Sequence, residues 1–253
     1  MNNIGTKILD APTGKTSVFF LGQSGFVFKS SKGTLLAVDL YLSDCVERYY
    51  GFKRLMPHLL EPNEIVFDYI VVTHWHYDHF DIDAMPIMLA SSRTKLIATM
   101  DCKSEIKRLR IPEEKITYIS AGESYVANDI KIYAVFCDHG IETPHAIGMI
   151  IVVDDKKIYI AGDTALRLDK AQEIKEFGTF DLMIAPINGA YGNLNEDEAV
   201  ALCGFHKPSL FVPCHYWNFA EHGGNPGKFA ERMKQINPEL KYELMAMGES
   251  IFL

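Results

Sequence analysis

His74-Trp75-His76-Tyr77-Asp78-His79 puts four potential metal ligands into six positions, directly behind the β-branched run 68–73. A fold that carries such a cluster must deliver it on a loop at the end of a strand. Neutral imidazoles and a carboxylate suit zinc, manganese or iron, and the alternation H-x-H-x-D-H lets one tight loop address two adjacent centres. A single helical HExxH site is excluded by the spacing. A polar turn with stacked histidines does not account for so many ligand-type side chains in one loop.

Around this cluster the pattern of apolar residues predicts strands at 17–21, 25–29 and 34–39, read as antiparallel, with turn chemistry at Gly22-Gln23-Ser24 and at 30–33. Asp81 is placed to cap a helix reaching about residue 90, followed by a strand at 95–99 and a helix at 102–109. Strands at 130–137 and 147–153 come next, and Asp154-Asp155 turns the chain into another at 157–161. The remainder alternates: helix 169–177, strand 182–187, helix 196–205, strand 210–214, helix 227–236, and a closing strand at 242–247. Two β-rich halves, each with its own helices, predict two sheets packed face to face with helices outside, a four-layer αββα sandwich of the α/β class. Loops that leave the strands then meet at one edge.

Four ligands do not complete two centres, and three more candidates follow the same strand-then-ligand order. They are His139 in Cys137-Asp138-His139-Gly140, Asp163 in Ala161-Gly162-Asp163-Thr164, and His215 in Val212-Pro213-Cys214-His215-Tyr216. Taken alone, Asp163 would also serve as a helix N-cap, and Asp39 would either cap a turn or orient His74 or His79. His58, His145, His206 and His222 have no such placement, although His145 and His222 lie near ligand loops and are pocket candidates. Cys137 and Cys214 end apolar runs and read as core residues rather than thiolate ligands.

The length of 253 residues with 48% hydrophobic content suffices for one domain, 1–253, with a sizeable core. A net charge of −8 disfavours nucleic acid as a partner and leaves a small-molecule substrate. No apolar stretch approaches the ~20 residues a bilayer requires, and the N-terminus lacks a signal pattern, so no membrane association and a cytoplasmic location are expected. Five scattered cysteines fit reduced thiols. Nothing indicates the oligomeric state.

These residues together resemble the metallo-β-lactamase-fold hydrolases, whose signature joins H-x-H-x-D-H to separate His, Asp and His ligands on later loops. The resemblance spans most of the chain and includes Val38-Asp39, Gly162-Asp163-Thr164 and His215. Leu21-Gly22-Gln23-Ser24-Gly25-Phe26, Tyr191-Gly192 and Val212-Pro213-Cys214-His215-Tyr216-Trp217-Asn218-Phe219 are similar to the L-ascorbate-6-phosphate lactonase-like branch. Cys137-Asp138-His139-Gly140 instead resembles the N-acyl phospholipid phosphodiesterases of the superfamily.

The resemblance implies two divalent metal ions, zinc first and manganese next. His74, His76 and His139 would hold one, Asp78, His79 and His215 the other, and Asp163 would bridge them. Catalysis is expected from Asp78 and Asp163, with His222, Tyr191 or Tyr216 supplying any proton. A metal-bridged hydroxide would attack a carbonyl or phosphoryl centre. The implied reaction is hydrolysis of a small lactone or ester, phosphorylated or not. A phosphodiesterase acting on a nucleotide or phospholipid headgroup is the alternative, and a mononuclear iron dioxygenase is an alternative of a different class. A basic cluster near the metals would favour a phosphorylated substrate, but Lys170, Lys207 and Lys228 read as solvated surface. The aromatic stretch 216–219 is either pocket lining or packing, and the loops 189–193 and 222–226 either contact substrate or merely connect.

Overall fold

In the computed structural model, which describes residues 3–253, apolar runs with turn residues between them become strands that are buried on both faces. In chain order the elements are α1 (Ile4–Leu9), β1 (Ser17–Gly22), β2 (Gly25–Lys29), β3 (Leu35–Val38), α2 (Cys45–Tyr50), β4 (Tyr69–Val72) and α3 (Ala84–Met88). There follow β5 (Lys95–Ala98), α4 (Lys103–Arg108), β6 (Ile116–Tyr118), β7 (Ser124–Ala127), β8 (Ile130–Phe136), β9 (Ile147–Val153), β10 (Lys156–Ile160) and α5 (Leu168–Lys175). The chain ends with β11 (Leu182–Pro186), α6 (Glu196–His206), β12 (Phe211–Cys214), α7 (Pro226–Ile236) and β13 (Ser250–Phe252).

Seven strands form one sheet in the order β13-β1-β2-β3-β4-β5-β6, and six form the other, β12-β11-β10-β9-β8-β7. The first strands pair antiparallel, whereas β3 to β6 and β10 to β12 run parallel. Phe20, Phe26, Phe28 and Val38 of the first sheet face Ile132, Met149, Ile151 and Ile184 of the second across a dry layer. Outside the first sheet pack Ile8, Val46, Met85 and Ile106 from its helices. Outside the second pack Ile174, Val200, Phe229 and Met233. The result is the four-layer αββα arrangement, and strands covered on both faces account for the continuous apolar runs.

Local chemistry fixes the helix ends. Asn195 accepts from the Glu198 amide at 3.0 Å while Glu198 accepts from the Asn195 amide at 2.9 Å, a reciprocal cap on α6. Asn225 caps α7 ahead of Pro226 in its first turn. Two sequence expectations need correction. No strand forms over 242–247; Tyr242 makes a single bridge to Phe211, and the turn closed by the Glu249 amide on the Ala246 carbonyl delays the last strand to Ser250. The helix expected after Asp81 begins only at Ala84, because the Asp81 carboxylate also accepts from the Leu42 and Ser43 amides at 2.8 Å and ties two loops together. Among the described residues no helix is long and apolar enough to cross a membrane.

His206 closes α6 with its ring against Tyr159, Phe180 and Phe205, and neither ring nitrogen has a partner. Burial, reinforced by Lys175, pushes its pKa down to about 4 from 6.5. Below the unfolded-state pKa the unfolded chain takes up a proton that the native chain refuses. Stability should therefore be unaffected by this group above pH ~6.5 and fall by about 3 kcal/mol in all as the pH drops toward the folded value. His206→Phe is expected to remove that part of the acid sensitivity, read as urea midpoints at neutral pH and near pH ~4.5.

Candidate metal centre

The parallel pair β3–β4 delivers the histidine loop. Thr73 follows β4 and Asp39 follows β3, where it accepts from the Thr73 amide at 2.9 Å and from Thr73 Oγ1 at 2.7 Å. The same carboxylate accepts from His79 Nδ1 at 2.9 Å. Because the Thr73 hydroxyl spends its proton on Asp39, it accepts from His74 Nδ1 at 3.0 Å. Both imidazoles thus carry a proton on Nδ1 and turn Nε2 inward, the nitrogen a cation would take. The sequence leaves Asp39 as either a turn cap or an orienter of His74 or His79; its carboxylate contacts His79 directly, with Thr73 relaying to His74.

The loops after β8, β10 and β12 bring His139, Asp163 and His215 to the same point. His76 Nδ1 lies 3.0 Å from His74 Nε2 and 3.1 Å from His139 Nε2. Asp163 Oδ2 lies 3.3 Å from His79 Nε2, 3.1 Å from His215 Nε2 and 3.9 Å from His139 Nε2. Asp78 Oδ2 is 3.4 Å from His215 Nε2 and 3.7 Å from His79 Nε2. All seven residues expected as ligands are therefore gathered at one place. Potential ligand atoms fall into three groups within 4.8 Å: His74, His76 and His139; His74, His79 and Asp163; and Asp78, His215 and His222.

The donor set fits divalent cations. Imidazole nitrogens face one another at hydrogen-bond distance, and His79 Nε2 and Asp163 Oδ1 are buried with no hydrogen-bond partner. A cation between them would satisfy both kinds of atom, and mixed nitrogen and carboxylate donors suit zinc or manganese. Protons do the balancing otherwise. Burial opposes charge on His79, yet Asp163, Asp78 and Asp39 outweigh it and hold its pKa well above the ordinary value. His215 is likewise raised to about 9 against its burial by Asp163 and Asp78. Burial pushes His74 well below its usual range, helped by the neighbouring His79. Burial also resists ionisation of Asp163, but His215 and His79 hold it well below the usual carboxylate range. Cation binding would expel these protons and weaken in acid.

Backbone strain concentrates here. Gln23, Asp39 and His215 adopt φ values of 53°, 48° and 62°, a left-handed conformation that costs ~1–2 kcal/mol per residue without glycine. Gln23 is a residue that sequence reading passed over as part of a turn. It is buried, and its Nε2 lies 2.7 Å from Asp78 Oδ2. Asp39→Ala is expected to weaken metal binding by ~10–100-fold, measured by chelator competition, since it frees the His79 ring.

Above the cluster a cavity of about 490 Å³ is lined by Val46, Tyr50, Phe52, Ile141 and Tyr191, together with Glu142 and Asn193. Asn193 donates to Asp163 Oδ2 at 2.7 Å. His222 and Tyr191, both expected near substrate, line it. His145 does not: its amide donates to Asp101 on the outer side of the loop. Tyr216 is unsuited to proton transfer, because its buried hydroxyl donates to the Met245 carbonyl at 2.9 Å, and Phe219 is a core residue. No lysine or arginine lines the cavity, and Lys170 and Lys228 pair with Glu173 and Glu196. Cys137 donates to the Asp163 carbonyl and Cys214 packs between the sheets, so both thiols are structural.

A family model described as beta-lactamase superfamily domain matches residues 40–216. Over 234 residues the chain is 30% identical to a UPF0173 metal-dependent hydrolase of Polaromonas sp., a match that spans 85% of this chain and 80% of that protein. Among solved structures, Igni18, a metallo hydrolase from Ignicoccus hospitalis, superposes with a TM-score of 0.75 at 22% identity, covering 94% of this chain and 98% of that one. The metallo-beta-lactamase fold protein YhfI from Bacillus subtilis superposes with a TM-score of 0.71 at 15% identity, covering 93% and 99%. These likenesses show the metallo-β-lactamase fold.

Proposed function

The chain belongs to the beta-lactamase superfamily and, within it, to the UPF0173 metal-dependent hydrolases, and from that premise we propose that it hydrolyses a small, uncharged lactone or ester at this cluster. His74, His76 and His139 would hold one divalent ion and Asp78, His79 and His215 a second, with Asp163 shared between them and zinc favoured over manganese. Bound there, the ions would supply Lewis acidity and lower the pKa of water toward ~7.

The protein's own groups do the rest. Asp39 and Thr73 lock the inward tautomers of His79 and His74, and Asn193 fixes Asp163. Val46, Tyr50 and Phe52 offer an apolar wall that holds the organic part of a substrate and excludes water. Tyr191 lines the cavity and would give a proton to a departing oxygen.

The observation that carries the substrate reading is an apolar cavity ending on the ligand cluster without any lysine or arginine in its lining. Glu142 in the lining would repel a phosphate further. This weighs against the phosphorylated substrate of the lactonase-like branch and against a phosphodiester. The test is a panel of neutral lactones and aryl esters beside their phosphorylated counterparts, with and without chelator. Neutral compounds should be turned over with kcat/KM at least ~10-fold higher, about 1.4 kcal/mol of discrimination. A preference for the phosphorylated members would reverse the reading.

A further inference from the structure

Gln23 occupies the β1–β2 turn and is 1% exposed. Its terminal carboxamide reaches the centre of the group formed by Asp78, His215 and His222. The atom assigned as Nε2 lies 2.7 Å from Asp78 Oδ2, 3.0 Å from His215 Nε2 and 3.2 Å from His222 Nδ1, while Oε1 is buried with no partner. The two ends of a carboxamide have the same shape, and a half-turn about its last bond puts the oxygen where the nitrogen is drawn.

The spacing has a plain meaning. Donors bonded to one ion at ~2.1 Å are separated by ~3.0–3.4 Å at octahedral or tetrahedral angles. His74, His76 and His139 show that spacing, 3.0 and 3.1 Å, on the other side of Asp163. The Gln23 terminus shows it toward His215 and His222, at 3.0 and 3.2 Å, and lies closer still, 2.7 Å, to Asp78.

His222 is held in place by construction. Its ring stacks on His215 with centroids 5.0 Å apart and planes 8° from parallel. The loop behind it approaches so closely that a Cβ on Gly223 would lie 2.3 Å from the Asn188 carbonyl oxygen, and one on Gly224 2.7 Å from Tyr216 Cβ. Only glycines allow that seat, and the seat keeps the imidazole on the cluster.

We infer that Gln23, through its amide oxygen, and His222, through Nδ1, are further ligands of the subsite that contains Asp78 and His215. The two subsites then differ in kind: three imidazoles on one side, and a carboxylate, a carboxamide and the three imidazoles of His79, His215 and His222 on the other, with Asp163 shared. The oxygen-bearing subsite is the harder of the two and favours manganese relative to zinc more than its neighbour does. His222 is thereby a ligand rather than a proton donor, which leaves Tyr191 for that task.

The inference rests on the reading of the cluster as a metal centre, and the experiment separates the two. Cobalt(II) is titrated into metal-free protein, with chelator competition for affinity and visible absorption for geometry. The native chain should take up ions in two steps. Gln23→Leu and His222→Phe should each weaken the second step at least ~10-fold and alter its absorption while leaving the first step unchanged, which also reports an intact fold. Gln23→Glu, which keeps an oxygen at the same point, should restore the second step. A second step that is unchanged or strengthened in Gln23→Leu overturns the inference, because the amide would then be a hydrogen-bonding filler in the ion's place. Failure of the native chain to bind any cobalt would overturn the metal-centre reading, and this inference with it.

Discussion

Asp163→Ala is expected to lower kcat by ~10³-fold or more, equivalent to about 4 kcal/mol of lost transition-state stabilisation. The Asp163 carboxylate lies within reach of histidines on both sides of the cluster. Its Oδ2 lies 3.3 Å from His79, 3.1 Å from His215 and 3.9 Å from His139. The surrounding imidazoles hold it ionised far into the acid range, so it contributes full negative charge at any working pH. Removing it leaves Asp78 as the one carboxylate among the proposed ligands against two cations, and one ion should be lost from the purified protein. Steady-state kinetics with metal analysis on the same sample checks both effects. A variant that keeps both ions and more than a tenth of the activity would remove Asp163 from the centre of the account.

Gly162→Ala is expected to destabilise the fold by ~2–5 kcal/mol, combining ~1–2 for a left-handed backbone with ~1–3 for overlap in a packed interior. Gly162 has φ of 70°, and a Cβ there would lie 2.7 Å from the carbonyl oxygen of Ile147 in β9. That oxygen is backbone and cannot step aside as a flexible side chain would. Relief requires the loop after β10 to move, and Asp163 is the next residue, so metal affinity should fall along with stability. Urea denaturation gives the first effect and chelator competition the second. A change below ~1 kcal/mol would mean that the turn adapts and that its glycine is not required by the close approach to β9.

The parts of this fold that were legible in the sequence are those in which burial and pattern coincide. β1, β2 and β9 are covered on both faces, so their apolar runs stood out between turns. The histidine loop was legible because four ligand types in six positions have few other uses. β6 and β7 were not, being three and four residues long and largely half-exposed, with no apolar run to mark them. The stretch 242–247 misled because its Leu244 and Met245 look like a strand, whereas its backbone makes one isolated bridge, Tyr242 to Phe211, and Met245 fills the space between the sheets. Gln23 was invisible as a site residue because a lone glutamine in a turn carries no metal signal. Only the pairing of β1 with β2 and the reach of its side chain bring it to Asp78. His145 and His222 looked equivalent from sequence, and what separates them is the glycine pair that seats the loop of His222 against Asn188 and Tyr216.

The central claim, that this cluster is the metal centre of a hydrolase, is tested most directly by metal analysis on protein purified without added metal, with hydrolysis of neutral esters followed before and after chelation. The account predicts two divalent ions per chain, zinc or manganese, and activity that chelator abolishes and either metal restores. Hydrolysis that survives complete removal of metal would contradict it, as would a single iron with oxygen uptake and no hydrolysis.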